Sequence, residues 1–185
     1  MKKLKIDFVE MLPSVPISVR VVPSSGKQNE ISPSRNVHFS STTDDWSTPQ
    51  WLFDALNKEF QFTLDPCATA GNAKCLKFFT REQDGLTRDW GSHVVFMNPP
   101  YGREIGRWMK KACDASQAGA TVVALIPARP DTNAWHQFIV GRATEIRFLK
   151  GRIKFGSGQN SAPFPSAIIV YRPAKRINLF RSHEN

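Results

Sequence analysis

Two uninterrupted apolar runs constrain the fold of this chain most: HVVFM at 93–97 and TVVALIPA at 121–128. Strands without polar alternation are typical of a sheet that is covered on both faces. Between these runs, Ile105, Trp108 and Met109 recur at helical spacing. Because buried strands alternate with helices, the sequence predicts an α/β fold with a mostly parallel sheet and helices on both faces.

The segment STPQWLFDALNKEF at 47–60 has one apolar helix face, with Thr48 expected as the N-cap and Pro49 as the first helical residue. The other expected elements are short strands at 62–66 and 77–80, a helix at 131–140, and strands at 145–151 and 166–172. No obvious helix joins the last two strands, so they are expected to form a C-terminal antiparallel hairpin at one edge of the sheet.

The two ends of the chain differ from its middle. Residues 1–45 are rich in Ser, Pro, Asn and Thr without an apolar period, which predicts a flexible N-terminal leader with a short strand at ISVRVV (17–22). Residues 46–175 are expected to form one folded domain, and residues 176–185 a basic C-terminal tail.

The charge balance favours a polyanionic partner. The 185 residues include 25 Lys and Arg against 16 Asp and Glu, a net charge of +9, and the sequence pI is about 9.8. Nucleic acid is the first candidate for such a partner, and a merely basic, soluble surface is the alternative.

The cysteine pattern and the hydropathy of the sequence indicate the cellular compartment. The three cysteines are odd in number and form no CxxC, which disfavours a disulfide scaffold and a zinc site and favours a reducing, intracellular environment. No apolar run has the length of a membrane span. The basic N-terminus resembles a signal peptide, but Asp7, Glu10, Pro13 and Pro16 interrupt its apolar stretch.

The run HVVFM ends at Asn98-Pro99-Pro100-Tyr101, which is the most informative corner of the sequence. In open α/β sheets, ligands bind beyond the carboxyl ends of the strands. The prolines make the corner rigid and donate no N–H, the asparagine offers an acceptor and two donors, and the tyrosine offers a flat face. Such a corner suits a planar ring with an amino group, and the alternative is a turn that merely ends a strand.

These four residues, with LDPCA at 64–68, DGL at 84–86 and GRIKF at 151–155, resemble the phage-type DNA N6-adenine methyltransferase (Dam) family. The likeness spans about Asp45 to Pro173. It implies an abbreviated Rossmann-like methyltransferase fold, without room for the full strand series between Asp65 and Asp84. It also implies S-adenosylmethionine as cofactor, DNA as partner, no metal and no membrane, in the cytoplasm of a bacterial or phage-infected cell.

The resemblance also implies residue roles. The catalytic residues are Asn98, Pro99, Pro100 and Tyr101. The cofactor residues are Thr48, Pro49, Asp65, Pro66, Cys67, Ala68, Asp84 and Asn98, with the carboxylate of Asp65 expected to pair with the cofactor's ammonium group.

Basic and aromatic residues after the later strands are candidates for the DNA contact. Basic side chains can hold phosphates, and an aromatic ring can stack on an extruded base. The candidates are Tyr101, Arg129, Lys150, Arg152, Lys154, Phe155 and Phe164. The alternative for the segment 149–166 is a surface hairpin with two core phenylalanines.

The expected function is site-specific transfer of a methyl group to the N6 amine of adenine in DNA. Two alternatives stay open. The same corner serves methylation of RNA bases and of protein glutamine, and a non-catalytic nucleic-acid-binding domain could keep the fold alone. The net charge and the GRIKF segment favour nucleic acid over protein, and the presence of Asn98 and Tyr101 argues against an inactive domain.

Overall fold

The computed structural model describes residues 46–156 and 161–173, together with the backbone of Ser18–Val22 (β1). The strand predicted at ISVRVV is therefore confirmed. The rest of the predicted leader at 1–45 and the predicted basic tail at 176–185 lie outside the described residues.

The described residues contain three helices and four further strands, and none of these helices is long and apolar enough to cross a membrane. They are α1 (Gln50–Phe60), β2 (Val94–Met97), α2 (Ile105–Gln117), β3 (Thr121–Pro127), α3 (Asn133–Phe138), β4 (Glu145–Leu149) and β5 (Ser166–Tyr171).

The strands form one five-stranded sheet in the order β1-β4-β5-β3-β2. β1 runs parallel to β4 and β2 runs parallel to β3, whereas β5 is antiparallel to both of its neighbours. The α/β class is confirmed, but the prediction of a mostly parallel sheet is wrong, because the sheet is mixed.

The direction of β5 is the reason why the sheet is mixed. A parallel return needs a crossover, usually a helix. The described part of the connection from β4 contains no helix, so β5 runs back antiparallel, as predicted. It does not lie at an edge, however: every residue of β5 is buried, and the strand is inserted between β3 and β4. An apolar strand such as SAIIVY is best stabilised where sheet neighbours and both covering layers exclude water from it.

The short strands predicted at 62–66 and 77–80 are single bridges. Leu64 pairs in parallel with Val95 of β2, and Asp65 pairs in parallel with Phe78. These bridges extend the sheet beyond β2 and place the start of LDPCA beside β2.

Helices cover both faces, as predicted. Side chains that alternate along the strands divide the core into two clusters, since successive strand residues point to opposite faces. Val95 and Met97 of β2 pack with α2 and α3, whereas Phe96, between them, packs with α1.

The buried side chain of Arg147 links α1 to the sheet. The guanidinium of Arg147 on β4 donates two hydrogen bonds of 2.6 Å to the carboxylate of Glu59 in the last turns of α1. It donates two more, of 2.9 Å, to Glu145, and it lies over the ring of Phe60. Arg147 and Glu145 are buried, whereas the Glu59 side chain is 45% exposed. The two hydrogen bonds to Glu59 therefore link the last turn of α1 to a buried ion pair of the sheet.

Candidate active site

The side chain of Asn98 lies where β2 ends, and hydrogen bonds fix its orientation. Its Nδ2 donates to the carbonyl oxygen of Trp46 at 2.6 Å and to Oγ1 of Thr48 at 2.9 Å. Its Oδ1 accepts a hydrogen bond of 2.6 Å from the hydroxyl of Tyr101. Because both N–H bonds are used and an amide oxygen has two lone pairs, Oδ1 can accept from one further donor.

The ring of Tyr101 belongs to an aromatic cluster formed by Trp46, Tyr101, Phe155 and Phe164. Trp46 stacks on Tyr101 with a centroid distance of 6.2 Å, while Phe155 and Phe164 meet Tyr101 edge-on at 5.9 and 5.5 Å. Burial raises the pKa of the Tyr101 hydroxyl well above its usual value, and the nearby thiol of Cys67 adds to the rise. The hydroxyl therefore remains a donor to Asn98 across the physiological pH range.

Thr48 does not cap α1, contrary to the prediction. The N-cap is Pro49, without a side-chain capping bond, and the helix begins at Gln50. The side chain of Thr48 is buried and turned to Asn98 instead. Thr48 and Pro49 also line an open cavity of about 520 Å³, whose lining includes Thr69 and Asn72 of the loop after Ala68.

Asp65 stands at the end of its short bridge, with only 4% of its surface exposed. Its carboxylate accepts hydrogen bonds from the backbone N–H groups of Lys74 at 3.1 Å and Cys67 at 3.4 Å. Burial raises the pKa of Asp65 to about 6, against the effect of these two bonds and of the Lys74 charge. Burying a charged carboxylate is energetically unfavourable, and an ammonium group bound beside Asp65 would offset that cost.

LDPCA and the Asn98 corner form one site. Burial raises the pKa of the Cys67 thiol well above its usual value, the charge of Asp65 adds to this, and a hydrogen bond from the Asn98 backbone opposes it. Pro66 and Ala68 are buried beside Cys67. The predicted cofactor segment therefore contacts the predicted catalytic residue directly.

The DGL segment packs against the same loop. A Cβ atom added at Gly85 would collide with the carbonyl oxygen of Pro66, so only glycine permits this approach. Asp84, the preceding residue, has a positive φ of 48°, and its carboxylate accepts from the backbone N–H of Leu86 at 3.2 Å. The structure thus packs the DGL segment against LDPCA through Gly85, the residue after Asp84.

Replacing Gly85 with alanine is expected to lower the free energy of unfolding by about 2–3 kcal/mol, because overpacking forces the DGL segment away from Pro66. Chemical denaturation of the purified variant measures this change. Gly71→Ala is the matched control, since a Cβ there would find its nearest neighbour, Thr69 Oγ1, at 4.0 Å. Equal stability of the two variants would contradict the close approach of Gly85 to Pro66.

Besides Tyr101, the residues predicted to contact DNA fall into two groups. Arg129, Lys150, Arg152 and Lys154 are exposed, and the guanidinium of Arg129 lies 5.8 Å from the ring centre of Phe164. Phe155 and Phe164 are only 5% and 8% exposed, within the aromatic cluster. A base that stacks directly on these two rings does not fit this arrangement, and the alternative of core phenylalanines describes them correctly.

Two residues of the site escaped the sequence prediction. Trp46 supplies both a carbonyl acceptor for Asn98 and a ring that packs on Tyr101. Gly85 makes the close contact with Pro66. The only local signal for Trp46 was an aromatic residue just ahead of a helix start, and nothing in the sequence connects position 46 with position 98.

Known proteins resemble this chain over most of its length. Residues 36–178 match the model of a family described as DNA N-6-adenine-methyltransferase (Dam). A DNA N-6-adenine-methyltransferase of Haemophilus phage HP1 is 31% identical over 141 residues, which cover 72% of this chain and 81% of the relative. A DNA N-6-adenine-methyltransferase of Escherichia phage T1 is 28% identical over 162 residues, covering 76% of this chain and 67% of the relative. The chain therefore belongs to the DNA N-6-adenine-methyltransferase (Dam) family.

Proposed function

We propose that this chain transfers a methyl group from S-adenosylmethionine to the N6 amine of adenine in DNA, and that Asn98 is the group that acts on the amine. The observation that carries the proposal is the orientation of the Asn98 amide. Both of its N–H bonds are used inside the protein, so its oxygen is the atom left to face a substrate donor.

The chemistry requires such an acceptor. The lone pair of an aromatic amine is delocalised into the ring, which makes the amine a poor nucleophile. Accepting its hydrogens at Oδ1 of Asn98 and at the Pro99 carbonyl draws the nitrogen toward tetrahedral geometry and stabilises the positive charge that develops there. Pro100, which has no N–H, keeps the corner rigid. After transfer, the methylated nitrogen loses one proton to solvent.

The residues of the neighbouring loop fit S-adenosylmethionine. The buried carboxylate of Asp65 suits the ammonium group, and Asp84 suits the exocyclic amine of the cofactor's adenine. Pro66, Cys67 and Ala68 would lie along the methionine part, and Thr69, the residue after them, lines the open cavity together with Thr48 and Pro49. When bound, the cofactor supplies an electrophilic methyl group, whose bond to sulfur breaks as the bond to N6 forms and leaves its electron pair on sulfur.

The sheet supports an abbreviated Rossmann-like methyltransferase fold. Its bridges and strands continue from Asp65 through β2 and β3, and the antiparallel β5 is inserted before β4. Asp65 and Asn98 then follow adjacent parallel segments at the same edge of the sheet, which is where open α/β sheets bind their ligands.

DNA would approach this edge. Arg129 follows β3, and Lys150, Arg152 and Lys154 follow β4, so all four cations lie beyond the carboxyl ends of these strands and are exposed to solvent. The target adenine has to leave the duplex before its amine can reach Asn98, at a cost of a few kcal/mol. We assign Tyr101 as the ring that holds the extruded base, with Phe155 and Phe164 supporting it from behind.

Single replacement of Lys150, Arg152 or Lys154 by alanine is expected to weaken DNA binding and to reduce the slope of log K against log salt by about 1, because one phosphate fewer is neutralised. Fluorescence anisotropy with duplex DNA over a salt series measures the slope. Lys58→Ala removes the same charge from the last turn of α1 and is expected to leave the slope unchanged. A salt-independent affinity would contradict a polyanionic substrate.

The function is tested by incubating the protein with tritiated S-adenosylmethionine and duplex DNA and separating the nucleosides. Label on N6-methyladenine supports the proposal. Parallel reactions with RNA and with a protein extract test the two enzymatic alternatives, and label found there alone would refute it. No label in any reaction would leave the non-catalytic domain as the remaining function.

A further inference from the structure

The short segment Trp46–Thr48 forms hydrogen bonds with Asn98 in the catalytic corner, although it lies about fifty residues earlier in the chain. It supplies two oxygen acceptors for the Asn98 amide. The Trp46 carbonyl accepts a hydrogen bond from Nδ2 of Asn98 at 2.6 Å, and the Thr48 hydroxyl accepts one at 2.9 Å. The hydroxyl of Tyr101, within the corner itself, completes the arrangement by donating to Oδ1. Both partners of the amide nitrogen therefore come from a distant segment of the chain.

An asparagine amide has two orientations that differ by exchange of oxygen and nitrogen. In the reversed orientation, Oδ1 would face the carbonyl oxygen of Trp46, which cannot donate, and an N–H would face the target amine, which needs an acceptor. The Trp46 carbonyl therefore selects the orientation in which the oxygen is presented, and the Thr48 hydroxyl, by accepting from the same Nδ2, holds the amide in that orientation. Thr48 is only 5% exposed, so water is a poor replacement for its hydroxyl.

The segment is itself held on both sides. The carbonyl oxygen of Ser47 accepts a hydrogen bond of 2.8 Å from the backbone N–H of Gly156, in the loop after β4. The ring of Trp46 meets the rings of Phe155 and Phe164 edge-on, each with a centroid distance of 5.3 Å. Because these contacts fix the backbone, the two acceptors stand in place before any ligand binds.

We propose that Thr48 is a positioning residue for Asn98: its hydroxyl holds the amide so that Oδ1 faces the reacting amine. This role differs from capping α1 and from contacting the cofactor. It rests on the proposed function, in which Oδ1 of Asn98 accepts from N6 of the target adenine. It predicts that loss of the hydroxyl impairs the chemical step and leaves cofactor affinity nearly intact.

Thr48→Val removes the hydroxyl and retains the branched shape, whereas Thr48→Ser retains the hydroxyl. At saturating S-adenosylmethionine and DNA, the single-turnover methylation rate of Thr48→Val should fall about 10-fold, the usual effect of removing one hydrogen bond that positions a reacting group. The dissociation constant for S-adenosylmethionine should change less than about threefold, and Thr48→Ser should restore most of the rate. Thr121→Val, at the amino end of β3, is the matched control.

A wild-type rate for Thr48→Val would overturn the inference, as would a loss of cofactor affinity as large as the loss of rate, or a Thr48→Ser variant as slow as Thr48→Val. If Thr48→Val melts at a clearly lower temperature, the smaller pair Thr48→Ala and Thr48→Ser carries the same comparison. Failure of the wild-type protein to label N6 of adenine would instead overturn the proposed function, so the two failures are distinguishable.

Discussion

Replacing Asn98 with alanine is expected to lower kcat for adenine methylation by at least about 100-fold, the typical effect of removing one preorganised hydrogen-bonding group from a reacting centre. The variant lacks the side-chain oxygen that the Trp46 and Thr48 contacts direct outward. Its dissociation constant for S-adenosylmethionine should stay within about threefold of wild type, because the Asn98 oxygen acts on the target base. Steady-state kinetics and calorimetric titration measure the two quantities.

Asn72→Ala provides the contrasting control for this prediction. Asn72 lines the open cavity, and its Oδ1 accepts from the backbone N–H of Thr69 at 2.7 Å. Its replacement should weaken cofactor binding more than it lowers kcat. If Asn98→Ala instead lost cofactor affinity as severely as turnover, the assignment of Asn98 to the target amine would be wrong.

Replacing Asp65 with asparagine is expected to weaken S-adenosylmethionine binding by about 2–5 kcal/mol, the usual cost of truncating one partner of a buried charge pair. That range corresponds to at least about a 30-fold rise in the dissociation constant. Wild-type affinity should rise as the pH increases through about 6, where the carboxylate ionises, and the variant should lose this dependence. Titration of both proteins between pH 5 and 8 measures it, and identical pH profiles would contradict the ammonium contact.

The raised pKa of Asp65 also predicts how the free energy of unfolding changes with pH. Because its pKa in the folded protein is raised from 3.8 to about 6, the folded state binds the proton more tightly than the unfolded state does. The contribution of Asp65 to stability is therefore present below pH 4 and is lost as the pH rises through about 6, by about 3 kcal/mol at most. Urea unfolding across this range should show a smaller decline for Asp65→Asn than for wild type.

Much of this architecture could be predicted because its signals are local. The apolar runs of β2 and β3 identify buried strands by composition alone, and the prolines after Asn98 mark a rigid corner at a strand end. The mixed sheet could be predicted only in part. The lack of an obvious helical period in the sequence before β5 implies an antiparallel return, but the choice between an edge and a central position depends on which neighbours bury the strand.

The sequence by itself determined the elements, the Asn98 corner, the LDPCA and DGL segments and the basic residues after β3 and β4, because each depends on residues close together in the chain. Only the tertiary structure decided how these parts meet. Trp46 and Thr48 hold the Asn98 amide from about fifty residues away, Gly85 touches the Pro66 backbone, and Phe155 and Phe164 are buried in edge-on contact with Tyr101. Such contacts arise from packing between distant segments, and no local propensity or period records them.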